Sequence, residues 1–210
     1  MINYLTPHAN SFLLDAACGK GRHSIYLNEL GFLVDGFDLS ENNIDEAKKN
    51  ESKRLNFYVN DIRTPLKVNH YNYAFNLFTS FGYFSDDDDN RLAIESIAKS
   101  LKENGVIVLD FMNCKKVINT LPHKETKIID KTTFNITKDF TNGFINKSIN
   151  FVDNNVNYHF QEKVKAITLS EFKAYFIAAN LIIEAIFGDY ELNPFDQDIS
   201  DRLILIARKK

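Results

Sequence analysis

Tryptophan is absent from this chain, and cysteine occurs only twice, as Cys18 and Cys114. Two cysteines cannot build a disulfide framework, so the small secreted disulfide scaffolds are excluded and a reducing, cytoplasmic location is expected. Long basic runs are missing as well. Lys and Arg total 25 against 28 Asp and Glu, a net charge of −3, which leaves no electrostatic footprint for nucleic acid. No apolar stretch is long enough to cross a bilayer, and the opening MINYLTPHAN has no basic region followed by an apolar core, so neither a membrane span nor a signal peptide is expected. Internal repeats and low-complexity linkers are lacking too. What remains is 210 residues, 44% of them hydrophobic, enough for one domain with a sizeable core.

The most informative stretch is FLLDAACGKGRHS, Phe12 to Ser24. An apolar run ends in Asp15, a tight loop Ala17-Cys18-Gly19-Lys20-Gly21 follows, and a helix-like pattern begins at Arg22. Strand, glycine loop and helix in that order form a nucleotide-binding crossover unit. Small residues let backbone and ligand approach closely, glycine tolerates positive φ, and the helix aims its free N–H groups at the ligand.

The pattern then alternates. A helix to Leu30 closes at Gly31, and a second strand, Phe32 to Asp38, is followed by Leu39 and by Ser40 as the cap of the next helix. Leu55 to Val59 reads as a third strand ending at Asn60-Asp61-Ile62, and Tyr71 to Thr79 as a fourth that runs into the aromatic loop Ser80-Phe81-Gly82-Tyr83-Phe84. Asp86 to Asp89 open a helix that Asn104-Gly105 ends, and Val106 to Phe111 is a nearly all-apolar fifth strand. Such runs mark strands buried on both faces, as in a parallel sheet. Residues 126–168 change character: strands joined by tight turns at Asn142-Gly143 and Asp153-Asn154-Asn155 form an antiparallel meander inserted in an α/β fold. Tyr158 and Glu162 share one of its faces. Ser170 then caps a helix to Ala179, and strands follow at Leu181 to Phe187 and Leu203 to Ala207.

Acids stand at the ends of the first three strands, Asp15, Asp38 and Asp61, where open α/β sheets bind their ligands. Asp38 suits a ribose diol, and Asp61 with Ile62 suits an adenine, so an adenosine fits across the second and third strands. Its third substituent lies over the glycine loop and is either a pyrophosphate or an amino acid. A dinucleotide fold wants a third glycine, and Arg22-His23-Ser24 supplies none. A metal site at the four-Asp run is less economical than capping of a helix N-terminus.

DAACGKGRHS, DLS, NDIR, NLFTSFGYF and LKENGVIVLDFMN together resemble the successive motifs of class I S-adenosylmethionine-dependent methyltransferases, most of all the small-molecule-type methyltransferase-domain proteins of bacteria. The resemblance runs from Phe12 through FQEKVKAIT, FGDY and SDRLILIARK. It implies a Rossmann-like seven-stranded methyltransferase sheet with its last strand antiparallel, here a single domain over 1–210. It also implies S-adenosylmethionine as cofactor, with Asp15 near the methionine amine through water. Ala17, Cys18, Gly19 and Gly21 give the close loop, Asp38 holds the ribose, and Leu39 packs on the adenine beside Ser40. Asp61 and Ile62 frame the adenine, while Asn76, Leu77 and Phe78 line the methionyl and adenosyl groups. Arg22 either meets the cofactor carboxylate or pairs with a neighbouring acid. Ala17 stands where the family usually has a glycine. Members usually carry a helical segment before the first strand, and only about ten residues precede it here, so that capping segment is expected to be missing.

Phe81 and Tyr83 are candidates for the acceptor side, as are Tyr158 and Glu162 on the meander. No general base is assigned, with Tyr83, His23 and Glu162 as candidates. The Asn-Pro-Pro-Tyr/Phe stretch of exocyclic-amine nucleic-acid enzymes and the Pro-Cys of cytosine-C5 enzymes are replaced by Asn76-Leu77-Phe78-Thr79, which leaves a small-molecule acceptor. The alternatives are a non-catalytic S-adenosylmethionine-binding protein or partner subunit, and an NAD-dependent oxidoreductase.

Overall fold

The computed structural model describes residues 1–210. A one-turn helix α1 (Ile2–Leu5) precedes β1 (Phe12–Ala16), α2 (Arg22–Glu29), β2 (Leu33–Asp38), α3 (Glu41–Ala47), β3 (Leu55–Val59) and β4 (Tyr71–Asn76). Then come α4 (Asp87–Ser100), β5 (Leu101–Met112), α5 (Cys114–Thr120) and four successive strands, β6 (Lys124–Ile129), β7 (Thr132–Thr141), β8 (Phe144–Asp153) and β9 (Val156–Lys165). Helix α6 (Leu169–Ala178), β10 (Leu181–Phe187) and β11 (Arg202–Lys209) follow.

Seven strands form the main sheet in the order β10-β11-β5-β4-β1-β2-β3. Only β11 runs against its neighbours. The chain goes one way from β1, through β2 to β3, and the other way through β4 to β5, so a crevice opens at the carboxyl ends of β1 and β4. Alternate residues of each central strand feed opposite cores. Leu14, Ile107, Leu109, Leu203 and Leu205 pack on the face of α4 and α6, whereas Leu13, Val106, Val108, Ile204 and Ile206 pack on the other with Leu27 and Ile44. That two-faced burial is why these strands carry unbroken apolar runs.

Three boundaries differ from the sequence expectation. Strand β4 stops at Asn76, three residues early, because Phe78 and Thr79 adopt φ of 57° and 61°, which no strand accommodates. Helix α4 stops at Ser100; Asn104-Gly105 lies inside β5, where Asn104 has φ 61° and the register against β4 shifts. The cap of α6 is Thr168 rather than Ser170. Thr168 Oγ1 accepts from Glu171 N at 3.3 Å and the Glu171 carboxylate accepts from Thr168 N at 2.8 Å, a reciprocal capping box. Since α6 seats Phe172 and Phe176 in the main core, Thr168→Ala is expected to lower stability by about 1 kcal/mol, read from urea unfolding; an unmoved midpoint would count against the cap. Helix α5 lies in a stretch between the fifth strand and the meander for which no element was expected.

Strands β6 to β9 make a second, antiparallel sheet in chain order. Its turns carry paired positive φ at Asn142-Gly143 (52° and 81°) and Asn154-Asn155 (48° and 62°), the backbone that two-residue hairpins require. Ile145 and Val164 join the main core, and Lys165 N donates to Gly82 O at 2.7 Å, so the end of β9 is fastened to the loop after β4.

Candidate active site

Two adjoining clefts lie at the carboxyl ends of β1 to β4. One, of about 350 Å³, is walled by the loop after β1, the start of α2 and the turn after β4. The other, of about 560 Å³, lies over the ends of β2 and β3 and under the aromatic loop. Ala17 and Ser80 border both.

The loop between β1 and α2 is shaped by its backbone. Ala17, Gly19 and Gly21 have φ of 61°, 57° and 79°, all in the region that disfavours a Cβ. A Cβ at Gly19 would meet nothing within 4 Å. It would stand in the open cleft, so the missing side chain leaves a cradle for a ligand. Ala17 does carry a Cβ there, and its departure from glycine strains the backbone without closing the site.

Asp15 forms the floor, only 2% exposed, and accepts from Ser24 Oγ at 2.5 Å. Burial pushes its carboxyl up to about 6, with Asp38 adding to the rise and the Ser24 hydrogen bonds opposing it. Cys18 is also pushed up, by burial and then by Asp15 and Asp38. It remains a thiol and offers no nucleophile. Arg22 packs on the ring of Phe78 at 5.4 Å and touches the ring of His23 at 3.5 Å rather than a carboxylate. The pairing of Arg22 with a neighbouring acid is therefore not what the structure shows. Burial, then Arg22, hold His23 below its usual range.

Asp38 ties two walls together. Its Oδ2 accepts from Gly19 N at 2.8 Å and its Oδ1 from Ser40 N at 2.9 Å, and each oxygen keeps a lone pair for a ligand. Leu39 projects from the rim, 71% exposed, and Ser40 caps α3 by accepting from Asn43 N. Asp61 and Ile62 line the second cleft. Asp61 already accepts from Arg63, at 3.1 Å from Nε and 2.6 Å from the terminal nitrogen, which holds its carboxyl below the usual range. Arg63 also bonds Asp89 at 3.0 Å and lies 4.9 Å from the Phe84 ring centroid. It joins the loop after β3 to the start of α4, a contact that no local pattern around Asp61-Ile62 signals.

The four-Asp run is spent on such contacts. Asp86 caps α4, Asp87 bonds Lys165 and Tyr175, Asp88 meets Arg91 and Asp89 meets Arg63.

Leu77 and Phe78 line the first cleft. Asn76 lies beneath it, fully buried, donating to Ala16 O at 2.9 Å with its Oδ1 unpartnered. Phe81 reaches the second cleft from the core, where it meets Phe172. Tyr83 stands on the rim, its phenol pushed up by burial and then by Glu162, which in turn pairs with Lys147 at 3.1 Å. Tyr158 is not brought to either cleft. It sits farther along β9, stacked at 4.9 Å on Phe151 of β8.

Chemically, the first cleft offers a buried carboxylate, a helix N-terminus and a guanidinium, a set matched to an amino acid's ammonium and carboxylate. The second offers two carboxylates among apolar and aromatic walls, a set matched to a nucleoside.

Residues 7–142 match the methyltransferase domain family. The dTDP-3-amino-3,4,6-trideoxy-alpha-D-glucopyranose N,N-dimethyltransferase of Streptomyces venezuelae is 30% identical over 111 residues, which cover 52% of this chain and 46% of that protein. The chain thus spans about half the length of the curated relatives it matches. Among solved structures, an S-adenosylmethionine-dependent methyltransferase from Clostridium acetobutylicum superposes with a TM-score of 0.85 at 20% identity, covering 99% of this chain and 87% of the other. CalS10, an amino pentose methyltransferase from Micromonospora echinaspora with SAM bound, gives 0.73 at 19% identity, covering 100% and 87%.

Proposed function

The chain belongs to the methyltransferase domain family, and we propose that it transfers a methyl group from S-adenosylmethionine to a small-molecule acceptor. The observation that carries this is the pairing of the two clefts, amino-acid-like chemistry around Asp15 and nucleoside-like chemistry around Asp38 and Asp61, joined at Ala17 and Ser80. When bound, S-adenosylmethionine supplies a methyl group activated by its sulfonium. The protein's part is to hold, align and dry the reacting groups.

In this reading Asp15 faces the ammonium, and Arg22 with the first turn of α2 faces the carboxylate. Ala17, Cys18, Gly19 and Gly21 bring the backbone close. Asp38 holds the ribose hydroxyls beside Leu39 and Ser40, and Asp61 with Ile62 frames the adenine. Leu77 and Phe78 wall the methionyl side, with Asn76 fixing β4 to β1 below them. Phe81, Tyr83 and Glu162 stand on the acceptor side. Residues 1–210 form one methyltransferase domain, with 126–168 as its inserted antiparallel subdomain. Two of the similar proteins are named for methylating amino sugars, which supports an acceptor bearing an amine. No helix is long and apolar enough to cross a membrane, and a cytoplasmic location suits the two thiols.

Calorimetric titration with S-adenosylhomocysteine tests the cofactor, and transfer of labelled methyl from S-adenosylmethionine into a pool of cellular metabolites tests the reaction. Tight binding of NADH without S-adenosylhomocysteine would overturn the reading; binding without any transfer of label would leave a binding protein. Within it, Asp38→Ala is expected to weaken S-adenosylhomocysteine binding by roughly 1.5–3 kcal/mol, the range for a hydrogen bond to a charged group. Unchanged affinity in the same titration would contradict the ribose assignment.

A further inference from the structure

We propose that Asp110 and Arg202 are positioning residues that clamp the turn at Phe78-Thr79 in the shape the methionyl cleft needs; the proposal rests on the cofactor reading given above. Two consecutive residues with side chains, one of them β-branched, occupy the left-handed region there, with φ of 57° and 61°. That conformation is disfavoured for each. Core packing does not hold the turn, because Phe78 is 51% exposed.

Asp110 does. Its Oδ2 accepts from Phe78 N at 2.9 Å, and its own carbonyl accepts from Thr79 N at 3.0 Å. Asp110 is 2% exposed within the apolar strand β5, where an unpaired carboxylate is strongly disfavoured. Arg202, at the start of β11, meets that charge through Nε at 2.8 Å and a terminal nitrogen at 2.7 Å. The same terminal nitrogen reaches Thr79 Oγ1 at 3.0 Å, and the Tyr190 hydroxyl donates to Asp110 Oδ2 at 3.2 Å. The pair therefore spans the neighbours β11 and β5 and ends on the turn after β4. An ion pair serving the sheet alone has no need of the Phe78 N–H or of Thr79 Oγ1. Held this way, the Phe78 ring stacks on His23 at 4.9 Å, with Tyr190 at 5.7 Å, and walls the cleft whose floor is Asp15.

The test is S-adenosylhomocysteine affinity, by calorimetry, in the wild type, Asp110→Asn, Thr79→Gly and the double variants Asp110→Asn with Thr79→Gly or Thr79→Ala. Asp110→Asn is expected to weaken binding about tenfold, as the strained turn relaxes away from its bound shape. Glycine enters the left-handed region freely, so Thr79→Gly alone should bind within about twofold of the wild type and should restore most of the loss in the double variant. Thr79→Ala keeps the Cβ and should restore nothing. Unchanged affinity in Asp110→Asn, no rescue by glycine, or equal rescue by alanine overturns the clamp. A wild type that does not bind S-adenosylhomocysteine overturns the cofactor reading instead. Should Asp110→Asn fail to fold, Arg202→Lys, which keeps the charge but loses the fork, carries the same cycle with the same outcomes.

Discussion

Replacing Asp15 by Asn is expected to stabilise the ligand-free protein at pH 7 while weakening its hold on S-adenosylhomocysteine. The carboxyl is buried on the floor of the cleft and titrates at about 6 instead of 3.8. Each pKa unit corresponds to about 1.4 kcal/mol, so a shift of about two units amounts to roughly 3 kcal/mol. The sign follows from which state ionises first. Below pH 4 both folded and unfolded chains keep the proton, and Asp15 contributes nothing. Between about pH 4 and pH 6 the unfolded chain loses its proton and the folded chain resists, so stability falls with rising pH and stays lower above the window. Asn cannot ionise, and its carbonyl still accepts from Ser24 Oγ. Urea unfolding should show the variant more stable by up to about 3 kcal/mol at pH 7, with the gap closing toward pH 4. A gap that is absent at pH 7, or that widens on acidification, would refute the account.

The same group links pH to binding. An ammonium beside Asp15 favours the carboxylate, so bound ligand lowers its pKa and expels a proton near pH 6. The heat of S-adenosylhomocysteine binding at pH 6 should therefore depend on the ionisation enthalpy of the buffer. Affinity should fall as the pH drops below about 6, and Asp15→Asn should remove both effects. On the proposed cofactor placement, the fold gives up stability to keep a charge where the ligand needs one, a trade common at functional sites.

How much of this was legible in the sequence differs from place to place. Asp15, Asp38 and Asp61 were readable because each closes or closely follows a short, mainly apolar strand. The glycine loop was readable because two of its three left-handed positions are glycines. The turn after β4 was not, since its left-handed residues are Phe78 and Thr79, which by composition extend a strand. Asn104-Gly105 misled for a related reason: the pair marks a backbone irregularity, and only the register of β5 against β4 shows that it is a bulge rather than a helix stop. Arg63, Asp110 and Arg202 take their roles from partners across the fold, at Asp89, Phe78 and Thr79. No local pattern holds that information. Tyr158 and Glu162 share one face of β9, as their spacing implies, but Tyr158 lies near the far start of the strand, and only Glu162 comes near Tyr83.

Gly21→Ala is expected to lower stability by roughly 3–5 kcal/mol from left-handed strain and overpacking together. Gly21 caps α2 at φ 79°, which disfavours any Cβ. That Cβ would also lie 2.6 Å from the ring of Phe57 and 3.3 Å from Ala47 Cβ. The same ring edge, through Cε1, also lies against Gly36, where an added Cβ would fall 2.9 Å from it. One edge of Phe57 is thus wedged into the corner between the loop after β1 and the middle of β2, and both glycines leave room for it. A methyl group at Gly21 must displace either that ring or the loop itself. Gly19→Ala makes the control. It carries similar backbone strain at φ 57° but meets no neighbour, so its stability loss should be only about 1–2 kcal/mol, while its methyl group stands in the cleft and blocks S-adenosylhomocysteine. Denaturant unfolding and calorimetric titration of the two variants separate these effects: Gly21→Ala acts chiefly on stability and Gly19→Ala chiefly on binding. Equal stability losses would show that Phe57 yields and that the wedge is not what holds the loop.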